Sequence, residues 1–550
     1  MGDLNVAVFT FVVSFIILLL NTIEIKRQTK SKRDVFLFVV FVPVTILIIL
    51  LSAVLYPILM SYRMIISIIL RRKYGDKFCG LVRGLDVVSA TQTMKQNTIT
   101  AVVLFETDTE TSTESIREFL NKVVTDTIMQ NETHLGKLLT TLDTFSGYKF
   151  LKKTNIHMHE CIRRLPTIDG ELNNDSLKKL ISHWYFEPFN GPLLWDVAFG
   201  TQPLQQKDNG SSKKCYPLVL RVHHVVSDGI TILKFFVGLL TDKLNNSNPS
   251  TFEKYVKTEE IKFATLLHYV YFILQIIVYF PTALYSMVVL KCHDHNELHG
   301  KALSNNEKVA YTLDENGTYF QKVKKIRKYT NASVPEIVLA AFSESMKEHF
   351  IKYHKSCPND ITLTLPVVQN YTELKTIQPG LDVSDIHLNN RFIILCLKVP
   401  FFVENDEFDE NMPVLSKLSA IRRLVDVMKT SVEVPVSKIV FHYFFGALPT
   451  SWVRHICGHI NSTVCVSLIP GPPKIFFNDG VFSVRDIIFW SPHLLGLDLM
   501  FGSLSYDDRL VLSFNCDAVY MADQSIAQEV LENTYKYMDL LEDELQLHQK

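Results

Sequence analysis

The sequence predicts an α/β protein that is attached to a membrane by its N-terminal region. Short apolar runs of strand length alternate with longer amphipathic segments, on both sides of an apolar stretch near the middle of the chain. Two more apolar stretches without a charge lie within the first 62 residues. These patterns predict an anchor at residues 1–79, α/β halves at residues 80–260 and 300–550, and a membrane-associated crossover at residues 261–299.

The clearest local patterns predict individual strands and helices in both halves. The predicted strands are Ile99–Phe105, Pro217–Val222, Asp360–Val367 and Arg391–Val399. The predicted helices are Ser115–Met129, Val334–His349 and Met412–Ser431. The mixture of strands and helices in each half is the basis for the α/β assignment.

Composition and charge exclude several classes of protein. The chain has 550 residues, of which 47% are hydrophobic and 21% charged, so it can bury a sizeable core and is neither disordered nor a coiled coil as a whole. With a net charge of -1, the protein lacks the positive electrostatic field that attracts nucleic acid, so no nucleic-acid partner is expected. The nine scattered cysteines contain no C-x-x-C pair, which favours reduced core residues over a disulfide framework or a zinc module.

The two N-terminal apolar stretches predict a membrane hairpin or anchor. The first runs from Leu4 to Ile23 and the second from Val35 to Tyr62, and each is long enough to span a bilayer. Basic residues lie on both sides of the second stretch, at positions 26–33 and 63–77. The positive-inside rule places both flanks in the cytosol, and one arrangement that satisfies it is a second stretch that bends at its two prolines and re-enters the membrane.

The third apolar stretch, Phe263–Leu290, predicts a segment at the membrane interface. Its aromatic residues are spread around all sides rather than along one stripe, which is less typical of the alternative, a long buried core helix. The following segment, Cys292–His299, contains residue types that bind metals. Because a solvated connector is expected at this position, we predict no metal site.

A pair of histidines at the end of a predicted strand forms the candidate active site. The strand Tyr216–His223 is followed by a short loop and then by an apolar helix-like segment. His224 lies in this loop, and an imidazole with an ordinary pKa of about 6.5 suits proton transfer at neutral pH. Asp228 is expected to order the loop through a basic partner or to hold the imidazole, and Gly229 to permit a tight turn. The alternative is a pair of core histidines without a catalytic role.

The segment His223–Gly229 resembles the active-site motif H-H-x-x-x-D-G of the CoA-dependent acyltransferase superfamily, and most closely that of the wax ester synthase/diacylglycerol acyltransferase family. Other segments between Gly80 and about Asp517 resemble further motifs of this family. They are Gly84–Asp86, Gly191–Asp196, Pro335–Ala341, Asn389–Phe392, Ser467–Pro472 and Leu504–Tyr506. The chain departs from the family pattern at Pro335-Glu336, where Asn-Asp is usual, and at Leu468, where Asn is usual.

The resemblance implies two chloramphenicol-acetyltransferase-like lobes with His224 at their interface, in a tunnel open to CoA on one side and to an acceptor on the other. It implies transfer of a long-chain acyl group from acyl-CoA to a fatty alcohol or to diacylglycerol, with His224 as the general base. His223, Asp228 and Gly229 would support the motif. Ser467 is a candidate oxyanion donor, and an ordinary strand serine is the alternative. Acyl-CoA is a co-substrate, and no separate cofactor is expected.

Two other functions remain open on the residues alone. His223 and Asp228 also satisfy H-x-x-x-x-D, the pattern of glycerolipid acyltransferases. The departures from the family pattern leave room for a membrane-anchored lipid-binding protein that catalyses weakly. For the favoured enzyme, the partners would be acyl-CoA, the lipid acceptor and membrane lipid. We expect it at the endoplasmic reticulum with cytosolic catalytic lobes, and the lipid droplet is a second candidate location.

Overall fold

The computed structural model describes residues 2–548 except 30, 92–96, 108–112, 155–157, 190, 206–212, 241–263, 292–293, 369–376, 378–382, 404–411, 459–460, 478–479 and 494–496. Within this part of the chain, helices and strands alternate through both halves. The α/β class predicted from the sequence is therefore what the chain adopts.

The helices begin in the anchor region and continue through both halves. They are α1 (Gly2–Gln28), α2 (Lys32–Tyr74), α3 (Asp86–Ser89), α4 (Thr113–Gln130), α5 (Glu132–Leu135), α6 (Asn174–Trp184), α7 (Gly229–Leu240), α8 (Ala264–Tyr285), α9 (Thr318–Thr330), α10 (Val334–Tyr353), α11 (Pro413–Thr430), α12 (Glu433–Lys438), α13 (Phe445–Ala447), α14 (Thr450–Cys457) and α15 (Gln524–His548). Each of the three predicted helices begins and ends within four residues of an observed one.

The strands form one small sheet and two large ones. They are β1 (Phe78–Leu81), β2 (Thr98–Thr107), β3 (Thr140–Phe145), β4 (Tyr148–Lys153), β5 (Ile162–Arg164), β6 (Trp195–Phe199), β7 (Lys214–His223), β8 (Glu307–Leu313), β9 (Asp360–Val368), β10 (Phe392–Pro400), β11 (Val464–Pro470), β12 (Phe476–Phe477), β13 (Phe482–Trp490), β14 (Leu499–Tyr506) and β15 (Arg509–Asp517). All four predicted strands are present.

Each large sheet organises one lobe. The first has the strand order β12-β13-β2-β7-β6-β5, and the second has the order β10-β9-β11-β14-β15-β8. The small sheet, β1-β4-β3, joins the anchor region to the first lobe. Helices cover the large sheets, and separate buried apolar clusters fill the first and second lobes. This is the two-lobed arrangement predicted from the sequence.

The boundary of the second lobe differs from the predicted one at residues 300–550. Strands β12 and β13 come from the second half of the chain but belong to the first sheet, where β13 pairs antiparallel with β2 from Phe482 to Trp490. A strand can form backbone hydrogen bonds with any free sheet edge that it reaches. The local sequence pattern predicts the strand but does not specify which sheet it joins. The first sheet is therefore built from strands of both halves of the chain.

Helix α2 differs from the predicted bend and re-entry. It is one continuous helix of 43 residues that runs through Pro43 and Pro57. A proline removes one backbone hydrogen bond and kinks a helix, but the turns on either side of these two continue. By length and composition, the segments Lys32–Lys77 and Val270–Leu290 of the described chain could each cross a membrane.

The three apolar helices pack against one another. Asn21 of α1 accepts a hydrogen bond from the Thr282 hydroxyl of α8 (2.5 Å) and donates to the Val278 carbonyl (2.8 Å). The Tyr285 hydroxyl of α8 donates to the Asp34 carbonyl at the start of α2 (2.8 Å). These polar contacts between apolar helices fix their relative positions, because hydrogen bonds have a defined direction and partner, unlike apolar contacts.

Candidate active site

The predicted active-site motif lies in the loop between β7 and α7, as the strand-loop-helix pattern indicated. Strand β7 ends at His223 and helix α7 begins at Gly229, so the five residues between them form the loop. Strand β7 lies in the middle of the first sheet, between β2 and β6. A loop at the end of a central strand is held from both sides and can place a side chain rigidly.

His223 is a structural residue of this loop. Its side chain is fully buried, and its Nδ1 accepts a hydrogen bond from the Val225 amide (3.2 Å). Its own amide donates to the Leu194 carbonyl (2.8 Å). Burial, together with the neighbouring His224, lowers the pKa of His223 to about 3, so the ring is neutral and holds the loop.

His224 lies on the accessible side of the loop. Its amide donates to the Asn97 carbonyl (2.8 Å), its carbonyl accepts from Asn390 Nδ2 (2.8 Å), and the residue remains partly accessible. The Phe392 ring lies 5.5 Å from the imidazole between ring centroids. Burial lowers the pKa of His224 below its ordinary value, and the Asp228 carboxylate opposes this shift. The lowered pKa favours the neutral imidazole, which is the form that can accept a proton.

Asp228 orders the loop through backbone amides, which differs from the predicted basic partner or imidazole. One carboxylate oxygen accepts from the Thr231 amide in the first turn of α7 (2.8 Å), and the other accepts from the Arg391 amide (2.8 Å). Short side chains with an oxygen acceptor satisfy the unpaired amides at the start of a helix, and a carboxylate also suits the helix dipole there. Asp228 thus caps α7 and ties it to the second lobe.

The role expected of Gly229 differs as well. Its backbone lies outside the left-handed region, so the turn itself does not require glycine. A β-carbon at this position would lie 3.5 Å from Ile469 Cδ1, an ordinary contact distance. Gly229 therefore marks the place where strand β11 of the second lobe approaches the motif.

Three residues that the sequence did not single out as site residues hold the loop from below. Asn390 Nδ2 donates both to the His224 carbonyl (2.8 Å) and to Asp86 Oδ1 (2.7 Å). Lys137 Nζ lies 2.7 Å from Asp86 Oδ2 and also donates to the Val225 carbonyl (3.2 Å). Asp86 and Asn390 belong to segments that resemble family motifs, so the resemblance could have identified them as site residues. No sequence pattern pointed to Lys137.

Ser467 lies in β11, two residues before Ile469. Alternate strand residues face the same side, so Ser467 shares a face with the residue that approaches Gly229. Leu468 points to the other face and packs against the second-lobe core, which accounts for an apolar residue at that position. At Gly471 a β-carbon would collide with the Ser505 carbonyl of β14, so the Pro-Gly-Pro segment requires its glycine.

The other departure from the family pattern also has a structural role. Ser333 caps helix α10 by accepting from the Glu336 amide (3.4 Å), and the Glu336 carboxylate accepts from the Ser333 amide (2.7 Å). Pro335 lies in the first turn, where its missing N–H is not needed. The Pro-Glu pair therefore forms a capping box and stabilises the helix start.

The structure does not pair His223 with Asp228, as the H-x-x-x-x-D interpretation would need. Each of these two side chains binds backbone amides instead. Within the described residues no group of three metal-binding side chains is close enough to hold an ion. Cys292 and His293 of the predicted connector lie outside the described residues, and Asp294 is bound to Thr362 in the second lobe.

A cavity of about 650 Å³ lies beside the motif, where the two lobes meet. Its wall combines residues 79–86 after helix α2, Lys137 and residues 388–391 of the second lobe. Through Asn390 this wall contacts the backbone of His224. The volume is in the range of cavities that bind small molecules.

Comparison with known proteins supports the resemblance seen in the sequence. Residues 389–539 match the sequence model of the WS/DGAT C-terminal domain. A search of the curated proteins found no match. These findings support an acyltransferase.

Solved structures share the two-lobed fold at low identity. A wax ester synthase/diacylglycerol acyltransferase from Marinobacter aquaeolei VT8 is 14% identical, with a TM-score of 0.51 over 85% of this chain and 99% of that one. A trichothecene 15-O-acetyltransferase from Fusarium sporotrichioides is 12% identical, with a TM-score of 0.57 over 83% and 94%. The first condensation domain of the calcium-dependent antibiotic synthetase is 12% identical, with a TM-score of 0.52 over 84% and 96%.

Proposed function

We propose that this chain, whose second lobe contains a WS/DGAT C-terminal domain, is a membrane-bound, acyl-CoA-dependent O-acyltransferase. Its acceptor is a fatty alcohol, giving a wax ester, or diacylglycerol, giving triacylglycerol. The observation that carries this proposal is the position of His224, a partly accessible residue with a lowered pKa on a loop that both lobes hold. The similar wax ester synthase of Marinobacter supports the same substrate class.

The proposed reaction uses His224 as the general base. An alcohol has a pKa far above 7, so its oxygen attacks a thioester efficiently only when a base takes its proton as the C–O bond forms. The C–S bond then breaks, CoA leaves as a thiolate, and the imidazolium returns the proton. The acyl group passes directly from CoA to the acceptor, without an acylated side chain of the protein.

The oxyanion that forms on the thioester carbonyl needs a hydrogen-bond donor. Ser467 is the proposed donor, because it lies on the same face of β11 as Ile469, which approaches the motif at Gly229. Its hydroxyl has no hydrogen-bond partner among the described residues of the chain. A donor without a protein partner is available to a substrate.

Both acceptors are lipids, so we propose that the enzyme works at the endoplasmic reticulum with its catalytic lobes in the cytosol, or on lipid droplets. The apolar helices α1, α2 and α8 expose large aliphatic side chains that water does not favour. Mounting the catalytic lobes on a membrane would let an acceptor enter without crossing water.

Release of CoA by the detergent-solubilised protein tests the proposal. The protein receives palmitoyl-CoA with hexadecanol or with diacylglycerol, beside the variant His224→Ala and the control His183→Ala, whose histidine is 81% exposed. We expect His224→Ala to lose activity by about 100- to 10,000-fold, the usual contribution of a general base, with an unchanged melting temperature. The control should retain full activity.

Two results would overturn this function. Activity retained in His224→Ala would refute the assignment of His224 as the general base. Tight binding of palmitoyl-CoA without CoA release in the presence of either acceptor would favour the lipid-binding alternative.

A further inference from the structure

We infer that the chain from residue 32 onward lies on one side of the membrane, with α2 and α8 resting along one leaflet instead of crossing it. The inference rests on the membrane association in the proposed function and adds its geometry. The contact surface, here called the membrane face, consists of the exposed apolar side chains of these two helices. Examples are Ile46 and Leu50 of α2 and Val270, Ile273 and Ile277 of α8.

The start of α2 is attached to the second lobe through α8. The Asp34 carbonyl accepts from the Tyr285 hydroxyl (2.8 Å), and the Phe38 ring meets the Tyr285 ring at 5.3 Å between centroids. Six residues after Tyr285, Lys291 Nζ lies 2.7 Å from a Glu433 carboxylate oxygen of α12. Asp34 is therefore held near the surface of the second lobe.

The far end of the same apolar stretch is attached to the first lobe. Arg63 Nη2 donates to the Val82 carbonyl (2.9 Å). One turn later, Ile66 and Leu70 are buried in a cluster that includes Tyr148 of β4. Both ends of the stretch therefore contact the water-soluble body.

Such a helix cannot stand across a bilayer. Asp34 and Arg63 are 29 residues apart, or about 44 Å along a helix at roughly 1.5 Å per residue. The hydrocarbon core is only about 30 Å thick, so a crossing helix of this length would place its ends in water on opposite sides. Because both ends touch one body, the helix runs parallel to the membrane surface, and its middle turns, with Ile46 and Leu50 exposed, face lipid.

Helix α8 is subject to an independent constraint. It connects Leu240 of the first lobe with Lys291, and β13 and β2 join the two lobes in one sheet. The segment 241–263, which leads into α8, contains eight charged residues among its 23 and has no apolar run that could cross a membrane. Helix α8 must therefore begin and end on the side of the lobes.

Charge around the membrane face agrees with this placement. Exposed basic residues flank α2 at both ends, with Lys32 and Arg33 before the apolar stretch and Arg71, Arg72 and Lys73 after it. Basic side chains at both rims suit anionic lipid headgroups of one leaflet. One-sided placement also satisfies the positive-inside rule at both flanks, which a crossing helix would violate.

Thiol labelling on sealed vesicles tests the inference. Single cysteines replace Lys32, Lys77 and, as a reference on the second lobe, the exposed Lys328 (K32C, K77C and K328C). Cys79, Cys292 and Cys357 are changed to Ser, because the other native cysteines are buried. The variants are bound to preformed vesicles of phosphatidylcholine with a minor fraction of phosphatidylserine, isolated by flotation, and treated with a membrane-impermeant maleimide before and after detergent.

We expect all three positions to label to the same extent before detergent, with no increase after it. Protection of K32C or K77C until detergent is added, while K328C labels at once, would overturn the inference. Failure to float with the vesicles would overturn it as well. CoA release in detergent is measured on the same variants, so loss of acyl transfer and wrong membrane geometry are distinguished.

Discussion

At the scale of single residues, the two neighbouring histidines of the motif have different roles: His223 supports the loop, and His224 is the proposed base. His223, the more buried of the two rings, accepts a hydrogen bond from Val225 and has its pKa lowered to about 3. His224 is partly accessible, its backbone is held by Asn97 and Asn390, and the Phe392 ring lies 5.5 Å from its imidazole between centroids. Fixing the main chain on both sides positions the imidazole while leaving it free to exchange a proton.

The lowered pKa of His224 predicts the pH dependence of turnover. The base must be neutral, and a pKa below the ordinary value of 6.5 means that protonation requires more acidic solution. We therefore expect kcat/KM for CoA release to stay constant through neutral pH and to fall only below about pH 6.5. The profile is measured from about pH 5 to about pH 8. An acid limb centred at or above 6.5 would contradict the desolvated environment of this ring.

Replacing Asp228 with Asn tests its positioning role. The amide offers one oxygen where two backbone amides now bind carboxylate oxygens, so one amide loses its partner at a cost of about 1–3 kcal/mol. We expect a lower melting temperature and partial loss of turnover. Because the carboxylate raises the pKa of His224, the acid limb of the remaining activity should also move to lower pH.

The control for this substitution is Asp426→Asn, since the Asp426 side chain is 69% exposed and pairs with Lys429 on its own helix. It should match the wild type in melting temperature and pH profile. If Asp228→Asn lowers the melting temperature but leaves the acid limb of the pH–activity profile unchanged, the role of Asp228 is purely structural.

At the scale of elements, strands β6 and β7 form the rigid support for the loop. Asp196 of β6 and Arg221 of β7 are both buried and form a two-point ion pair at 2.9 and 2.5 Å. Arg163 of β5 adds a further contact to Asp196 at 2.8 Å. Buried charges persist only when paired and fully hydrogen-bonded, so this network locks the register of three adjacent strands beneath the motif.

Trp195 is expected to act on stability through the same strands. Its ring is buried in the first-lobe core and its Nε1 donates to the Leu138 carbonyl (2.8 Å). Trp195→Ala should lower the free energy of unfolding by about 3–5 kcal/mol, from lost burial and an unsatisfied carbonyl. Chemical denaturation measures it, with Trp452→Ala as control because Trp452 is 53% exposed. Equal denaturation curves for the two variants would show that Trp195 is not a core anchor.

At the scale of the whole molecule, a buried polar network joins the lobes on the side of β8 and β15. His493 Nε2 lies 2.9 Å from both Glu307 carboxylate oxygens, and Asn515 donates to Glu307 (2.7 Å) and to the Tyr185 hydroxyl (3.1 Å). Tyr185 belongs to the first lobe, whereas Glu307 and Asn515 belong to the second. The network thus fixes how the lobes that hold the motif loop meet.

Because of this network, we expect the stability of the protein to decrease at alkaline pH. Burial alone lowers the pKa of His493, but the carboxylates of Glu307 and Asp498 outweigh it and raise the pKa to about 10. The folded value exceeds the unfolded value of 6.5, so the stabilisation is complete below about pH 6.5 and is lost as pH rises towards about 10. The free energy of unfolding of the wild type should decline over this range.

The variant His493→Gln isolates the contribution of the charge. Removing one partner of a buried ion pair costs about 3–5 kcal/mol, so we expect a less stable protein whose stability changes less between neutral and alkaline pH. The exposed His183→Gln serves as the control and should follow the wild type. An unaltered alkaline decline in His493→Gln would assign the effect to other groups.

The sequence by itself determined the local parts of this protein. Strand β7, the loop with His224 and helix α7 were predicted correctly, because apolar periodicity and turn residues act between near neighbours in the chain. The same holds for β9, β10, α10 and α11. The family resemblance predicted from the motifs agrees with the match of residues 389–539 to the WS/DGAT C-terminal domain.

Only the tertiary structure decided which distant residues meet. Asn390 reaches Asp86 across 304 residues, and Lys137 reaches the same carboxylate across 51. Tertiary contacts also place β13 in the first sheet and attach both ends of α2 to the rest of the protein. Such contacts depend on the packing of whole elements, where each partner satisfies a buried polar group that no local pattern records.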